Sequence, residues 1–163
     1  MSILKKLVVV LAIVIVILLI GYKPFMKRNP PLESGTIGFA EDRHGVFIAI
    51  GNTGLKKIKI TNVLVNNNER PLNVKIQESN PLQALIITDS LDEEKNYGFK
   101  DIDSLVIEPN TSPSDSLEKV NNGTATEKDK TYGLYVVQNK SINKVIIKYR
   151  YMGIIYLKEI TVE

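Results

Sequence analysis

Residues 144–162 read KVIIKYRYMGIIYLKEITV. On both sides of Met152 and Gly153 apolar residues recur at every second position, the period of a strand with one buried face and not that of a helix. A tight reversal at Gly153 puts Val145, Ile147, Tyr149 and Tyr151 on the same face as Ile154, Tyr156, Ile160 and Val162. That face is predicted to be core, and the opposite one carries Lys144, Lys148, Arg150 and Glu159. Lys158 alone contradicts the pattern, since it falls on the core face with a charge. The stretch predicts an antiparallel hairpin and sets the expectation for the rest of the chain.

Upstream, the same period returns in short segments divided by turn residues. Residues 36–40 and 46–50 are predicted strands, joined through Glu41, Asp42, Arg43, His44 and Gly45. Gly51, Asn52, Thr53 and Gly54 then form a turn into a strand over 57–66. Within it Ile58 and Ile60 share one face and Val63 and Val65 the other, so a bulge is expected at Thr61 and Asn62. Further strands are expected around Leu72, Val74 and Ile76, over 84–88 as a central strand, around 104–107 and over 132–138. Residues 110–130 are dominated by polar side chains and read as a long solvated loop. Asn29 to Gly35, with Pro30 and Pro31, reads as a stiff tether, giving an anchor over 1–28, a tether over 29–35 and a β-domain over 36–163.

Eight or so short strands with a hairpin finish resemble an immunoglobulin-like or fibronectin-type antiparallel β-sandwich preceded by one transmembrane helix. The tyrosine corner of that class is matched only loosely. Tyr132 stands three residues after Asp129, and Leu134 occupies the position of the usual cysteine. Overall the chain is similar to small single-pass envelope proteins of low-GC Gram-positive bacteria, a likeness in pattern that implies an anchored outer domain and carries no site residues with it. The preference for Lys over Arg, and for Ile and Asn, agrees with that source.

The anchor is the apolar run from Leu7 to Ile20, fenced by Lys5 and Lys6 before it and by Lys23, Lys27 and Arg28 after it. Gly21 and Tyr22 lengthen the run, and the flanking lysines can reach the interfaces, so one span of roughly 20 residues is feasible. A cleaved signal peptide needs small residues close behind the apolar core, and the first acceptable pair is the distant Gly38 and Ala40. Without cysteine there is no lipobox and no disulfide, so the domain must be held by its core. A basic start without acids favours an inside N-terminus and an extracytoplasmic domain.

The net charge of +3 divides unevenly. Residues 1–28 carry five basic side chains and no acid, whereas the remainder carries sixteen Lys and Arg against eighteen Asp and Glu. The high pI therefore belongs to the anchor, and a mildly acidic domain argues against nucleic acid as a partner.

Chemical signatures are sparse. The single histidine, His44, lies beside Glu41, Asp42 and Arg43, a group that reads as a polar turn before it reads as an acid–base or metal site. Asp89, Asp92, Glu93 and Glu94, with Asp101 and Asp103 beyond, are the candidate calcium ligands, although their spacing is not that of an EF-hand. Ser141 and Lys144 could form a Ser–Lys pair but are better explained by a turn, and the two Asn-x-Ser/Thr sequons at Asn122 and Asn139 read as coincidence. Tyr132, Tyr135, Tyr149, Tyr151 and Tyr156 are expected to be mostly core or rim. No nucleophile elbow or phosphate-cradling glycine loop occurs, and neither enzyme activity nor a cofactor is expected. The expected function is that of a binding or assembly module acting through another envelope or membrane protein. The alternatives are an immunity-type protein, an extracytoplasmic hydrolase and a calcium-dependent binder, with oligomeric state left open.

Overall fold

A computed structural model describes residues 3–39, 42–83, 85 and 98–162, apart from the side chains at 18, 19, 23 and 25. The chain divides into two units, Met1–Pro30 and Pro31–Glu163.

The first unit is helix α1, Ile3–Arg28, of 26 residues. At 1.5 Å per residue it is ~39 Å long, enough to cross a hydrocarbon core of ~30 Å. Its apolar residues are exposed along the run: Leu7 is 65% exposed and Ile20 is 72% exposed. Lys6 is exposed at one end of the run, and Lys23 lies on the helix beyond the other. Lys27 and Arg28 complete the last turn, where cations offset the partial negative charge of the helix terminus.

The second unit is mainly β. Its strands are β1 (Leu32–Phe39), β2 (Gly45–Asn52), β3 (Lys59–Val65), β4 (Asn73–Ser79), β5 (Phe99–Asp101), β6 (Thr131–Val137), β7 (Lys144–Tyr151) and β8 (Ile154–Thr161), with helix α2 (Pro113–Asn121) between β5 and β6. They form two antiparallel sheets, a five-stranded one in the order β1-β2-β6-β4-β5 and a three-stranded one in the order β3-β7-β8. The core draws on both, with Val46, Ile48, Ile50, Ile76, Leu134 and Val136 from the first and Ile60, Val63, Val65, Val145, Ile147 and Tyr149 from the second, all buried.

The β7–β8 hairpin has the register its sequence predicts, with Val145 opposite Ile160, Tyr149 opposite Tyr156 and Tyr151 opposite Ile154. All eight residues assigned to its core face are buried. Met152 (φ 48°) and Gly153 (φ 77°) form the two-residue reversal, which needs positive φ at both positions to match the twist of the strands. Lys158 does lie on the core-face register, opposite Ile147. It is only partly covered, because β8 is a sheet edge. The bulge in β3 is present as a register shift between Ile60 and Asn62.

Three expectations need correction. Leu32 to Gly35 are not tether but the start of β1: Leu32 is buried and pairs with Asn52. Pro31 begins the sheet edge, its carbonyl accepting from Thr53 N at 2.9 Å, because proline lacks only the donor that an edge can spare. The strand expected around 104–107 is instead β5 at 99–101. Leu105 and Ile107 are buried as core, with Ile107 joined to Ile58 by a single bridge, so apolar spacing there reflects burial and not a ladder. The loop over 110–130 contains α2. The strand expected over 84–88 lies, but for Leu85, outside the described residues.

Candidate functional site

Helix α2 is set by local chemistry. Ser112 is its N-cap and accepts from Asp115 N at 3.3 Å, with Pro113 at the first helical position and Asp115 in the first turn. Gly123 (φ 68°) closes it, donating to Val120 O at 3.1 Å. None of its residues is buried, so tertiary contacts at its N-terminal end must hold it in place. Ser112 Oγ and Ser114 Oγ donate to the two oxygens of Glu33 on β1, at 2.5 and 2.8 Å. Pro113 covers Gly35 and Gly51, where an added Cβ would stand 2.6 and 2.7 Å from its ring. Thr111 ties the incoming chain to β2, its hydroxyl accepting from Asn52 N at 3.1 Å and donating to Glu108 O at 2.8 Å.

This clamp leaves a groove of about 440 Å³ between α2 and the outer face of β1, β2 and β6. Leu117 and Val120 form its helical wall, and Thr36, Ala49 and Thr131 lie on its floor. Leu117 is 62% exposed, and Thr131 Oγ1 is buried without a hydrogen-bond partner among the described residues. A mainly apolar trough with a few polar groups suits a side chain or short segment of a partner. Ser112 is only 1% exposed and is occupied capping the helix, and among the described residues no histidine or lysine lines the groove. Sequence reasoning passed over α2 and its groove, although Ser112-Pro113 followed by Asp115 is an N-terminal capping signal legible in the chain.

The residues singled out from sequence are dispersed. Asp89, Asp92, Glu93, Glu94 and Glu41 lie outside the described residues. Asp101 pairs with Lys75 at 3.0 Å, and the Asp103 carbonyl accepts from the Lys59 ammonium. His44 Nδ1 is 3.2 Å from Asp42 Oδ2 and its backbone N–H donates to Asp42 Oδ1, an arrangement that folds the β1–β2 turn. Ser141 accepts through its carbonyl from Asn66 Nδ2, while Lys144 is 3.7 Å from Glu159. Among the described residues no three His, Asp or Glu side chains gather as metal ligands.

The five tyrosines are all buried. Tyr149 and Tyr156 stack at 5.2 Å, Tyr151 meets Tyr156 edge-on at 6.5 Å, and Tyr135 packs between Phe47 and Phe99. Burial pushes the Tyr149 hydroxyl up to about 12. Near the groove, partial burial raises Glu78, but hydrogen bonds from Lys100 and Lys130 outweigh it and hold the carboxyl below its ordinary value. No protein-family model, no curated protein and no solved structure matches the chain.

Proposed function

We propose that the chain is a membrane-anchored binding or assembly module whose β-domain, held outside the cytoplasm in the cell envelope, acts by contact with another envelope or membrane protein. The observation that carries this reading is α1, a helix with its apolar residues exposed and basic residues at both ends. Such a helix is stable in lipid and not in water. The anchor then supplies high local concentration at the membrane, and the α2 groove supplies a contact surface.

The domain is read as an immunoglobulin-like sandwich. Its strand order, β1-β2-β6-β4 in one sheet and β3-β7-β8 in the other, follows the A-B-E-D and C-F-G order of constant-type domains, with β5 added beyond β4. Tyr132 is the second residue of β6, in the place of strand E, and its hydroxyl accepts from Glu108 N. It is therefore no tyrosine corner, and the likeness rests on strand order.

The test is crosslinking in native membranes from a photoreactive side chain at position 117, with a chain lacking residues 1–28 as control. A specific membrane or envelope protein captured from position 117 supports the reading. Reproducible recovery of the protein alone overturns it in favour of a small-ligand binder or an enzyme.

A further inference from the structure

Three segments converge at the end of the domain where the chain arrives from α1. Pro31 accepts from Thr53 N at 2.9 Å and from Thr53 Oγ1 at 3.1 Å. Leu55 N donates to the Tyr151 hydroxyl at 3.0 Å. A Cβ on Gly54 would stand 2.6 Å from that hydroxyl and 2.9 Å from Pro31 Cβ. The β2–β3 turn and the β7–β8 reversal are thus fastened to the first residue of the domain.

Both turns carry an apolar residue outward. Leu55 is 83% exposed and Met152 is 45% exposed. Single exposed apolar residues are ordinary; two on adjacent turns, beside cations, make a patch. Lys56 and Lys57 follow Leu55, and both are exposed; Arg150, exposed as well, precedes Tyr151. Among the described residues, Glu108 pairs with Lys57 at 2.8 Å, and exposed Asp103 offers its carbonyl to Lys59. Lys56 and Arg150 have no carboxylate partner among the described residues.

Only Asn29 and Pro30 separate Arg28 from Pro31. A link this short reaches ~10 Å at full extension. Resting on the reading of α1 as an anchor, it keeps this end of the domain beside the bilayer. We propose that this end docks onto the headgroup layer of the anchoring membrane, with Leu55 and Met152 seated at the interface and Lys56 among lipid phosphates. Apolar tips supply burial and the lysines supply attraction to anionic lipid, the combination that holds interfacial segments in place.

The chain contains no cysteine, so single nitroxide labels report one site each. The full-length protein, labelled in turn through Leu55→Cys, Met152→Cys, Asn67→Cys and Val14→Cys, is reconstituted in phosphatidylcholine–phosphatidylglycerol vesicles. Its accessibility to oxygen and to a water-soluble nickel chelate is then measured. Asn67 is an exposed control in the β3–β4 turn, and Val14 reports on α1. The expected result is an oxygen-to-nickel ratio several times higher at 55 and 152 than at 67. Ratios at 55 and 152 equal to that at 67, with Val14 in lipid, overturn the docking and leave the anchor standing. Val14 in water overturns both. Labels at 55 and 152 shielded from both reagents overturn lipid docking in favour of a second protein chain.

Discussion

Asn52 is fully buried, yet every polar atom of its side chain is used. Nδ2 donates to Lys56 O at 2.8 Å and to Ile107 O at 3.1 Å, and Oδ1 accepts from Gly54 N at 2.9 Å. One side chain thereby joins the end of β2, the turn after it and the segment bridged to β3. Removing it deprives the part-buried Gly54 N and Lys56 O of their side-chain partner, at ~1–3 kcal/mol each, while Ile107 O keeps its bond from Ile58 N. Asn52→Ala should lower stability by about 3 kcal/mol, seen as a shifted urea midpoint with an unchanged slope. Its neighbour Gly51 is required for another reason, since a Cβ there would stand 1.9 Å from Thr111 O. In sequence both residues read as a turn, and that is only half their role. A turn signal is local, whereas the reason for Gly51 lies in the approach of a segment sixty residues further along the chain.

Among the elements, β7 and β8 were legible because alternating side chains are the direct record of one buried face. Helix α2 was obscured because a helix that buries nothing has no long apolar stripe to show. It is steadied at its far end by an ionic clasp. Lys119 is 2.5 Å from Asp129 Oδ1, and Thr126 donates to Oδ2 through both its backbone and its hydroxyl. These hydrogen bonds, Lys119 first, hold the Asp129 carboxyl at about 2, below its ordinary 3.8. A lowered folded-state pKa gives stabilisation that is complete above the ordinary value and lost as pH falls through the lowered one. The clasp should therefore persist at pH 5 and open between about pH 4 and about pH 2. An NMR titration of the Asp129 carboxyl carbon should show that midpoint, and Asp129→Asn should remove the acid dependence of the 119–129 segment. Lys158 also finds its explanation at this scale. β8 is a long edge strand bearing exposed Ile155 and Leu157, and a charge on its inward register discourages pairing with another chain. Lys158→Val should leave folding intact while promoting association, measured by light scattering in detergent.

For the molecule as a whole, the division at Pro30 and Pro31 separates an apolar helix long enough to span a membrane from a unit stabilised by its own core. Buried residues of both sheets belong to that core, so residues 31–163 freed from α1 should remain folded and unfold in one cooperative transition, coincident by circular dichroism and tyrosine fluorescence. Strand positions were largely readable from the chain, but strand order was not, because neighbours in a sheet are chosen by long-range contacts that no local period records. The groove was unreadable for the same reason, since Glu33 and Ser114, which meet across it, are far apart in sequence. The position of β6 has a consequence in time. It lies between β2 and β4 and pairs with both, although it is made after either. On a ribosome the five-stranded sheet must stay open until residue 137 has been delivered, because its middle is supplied late. A polypeptide passed across a membrane behind its helix would travel as an unfinished, threadable strand set and would lock only after most of it had emerged.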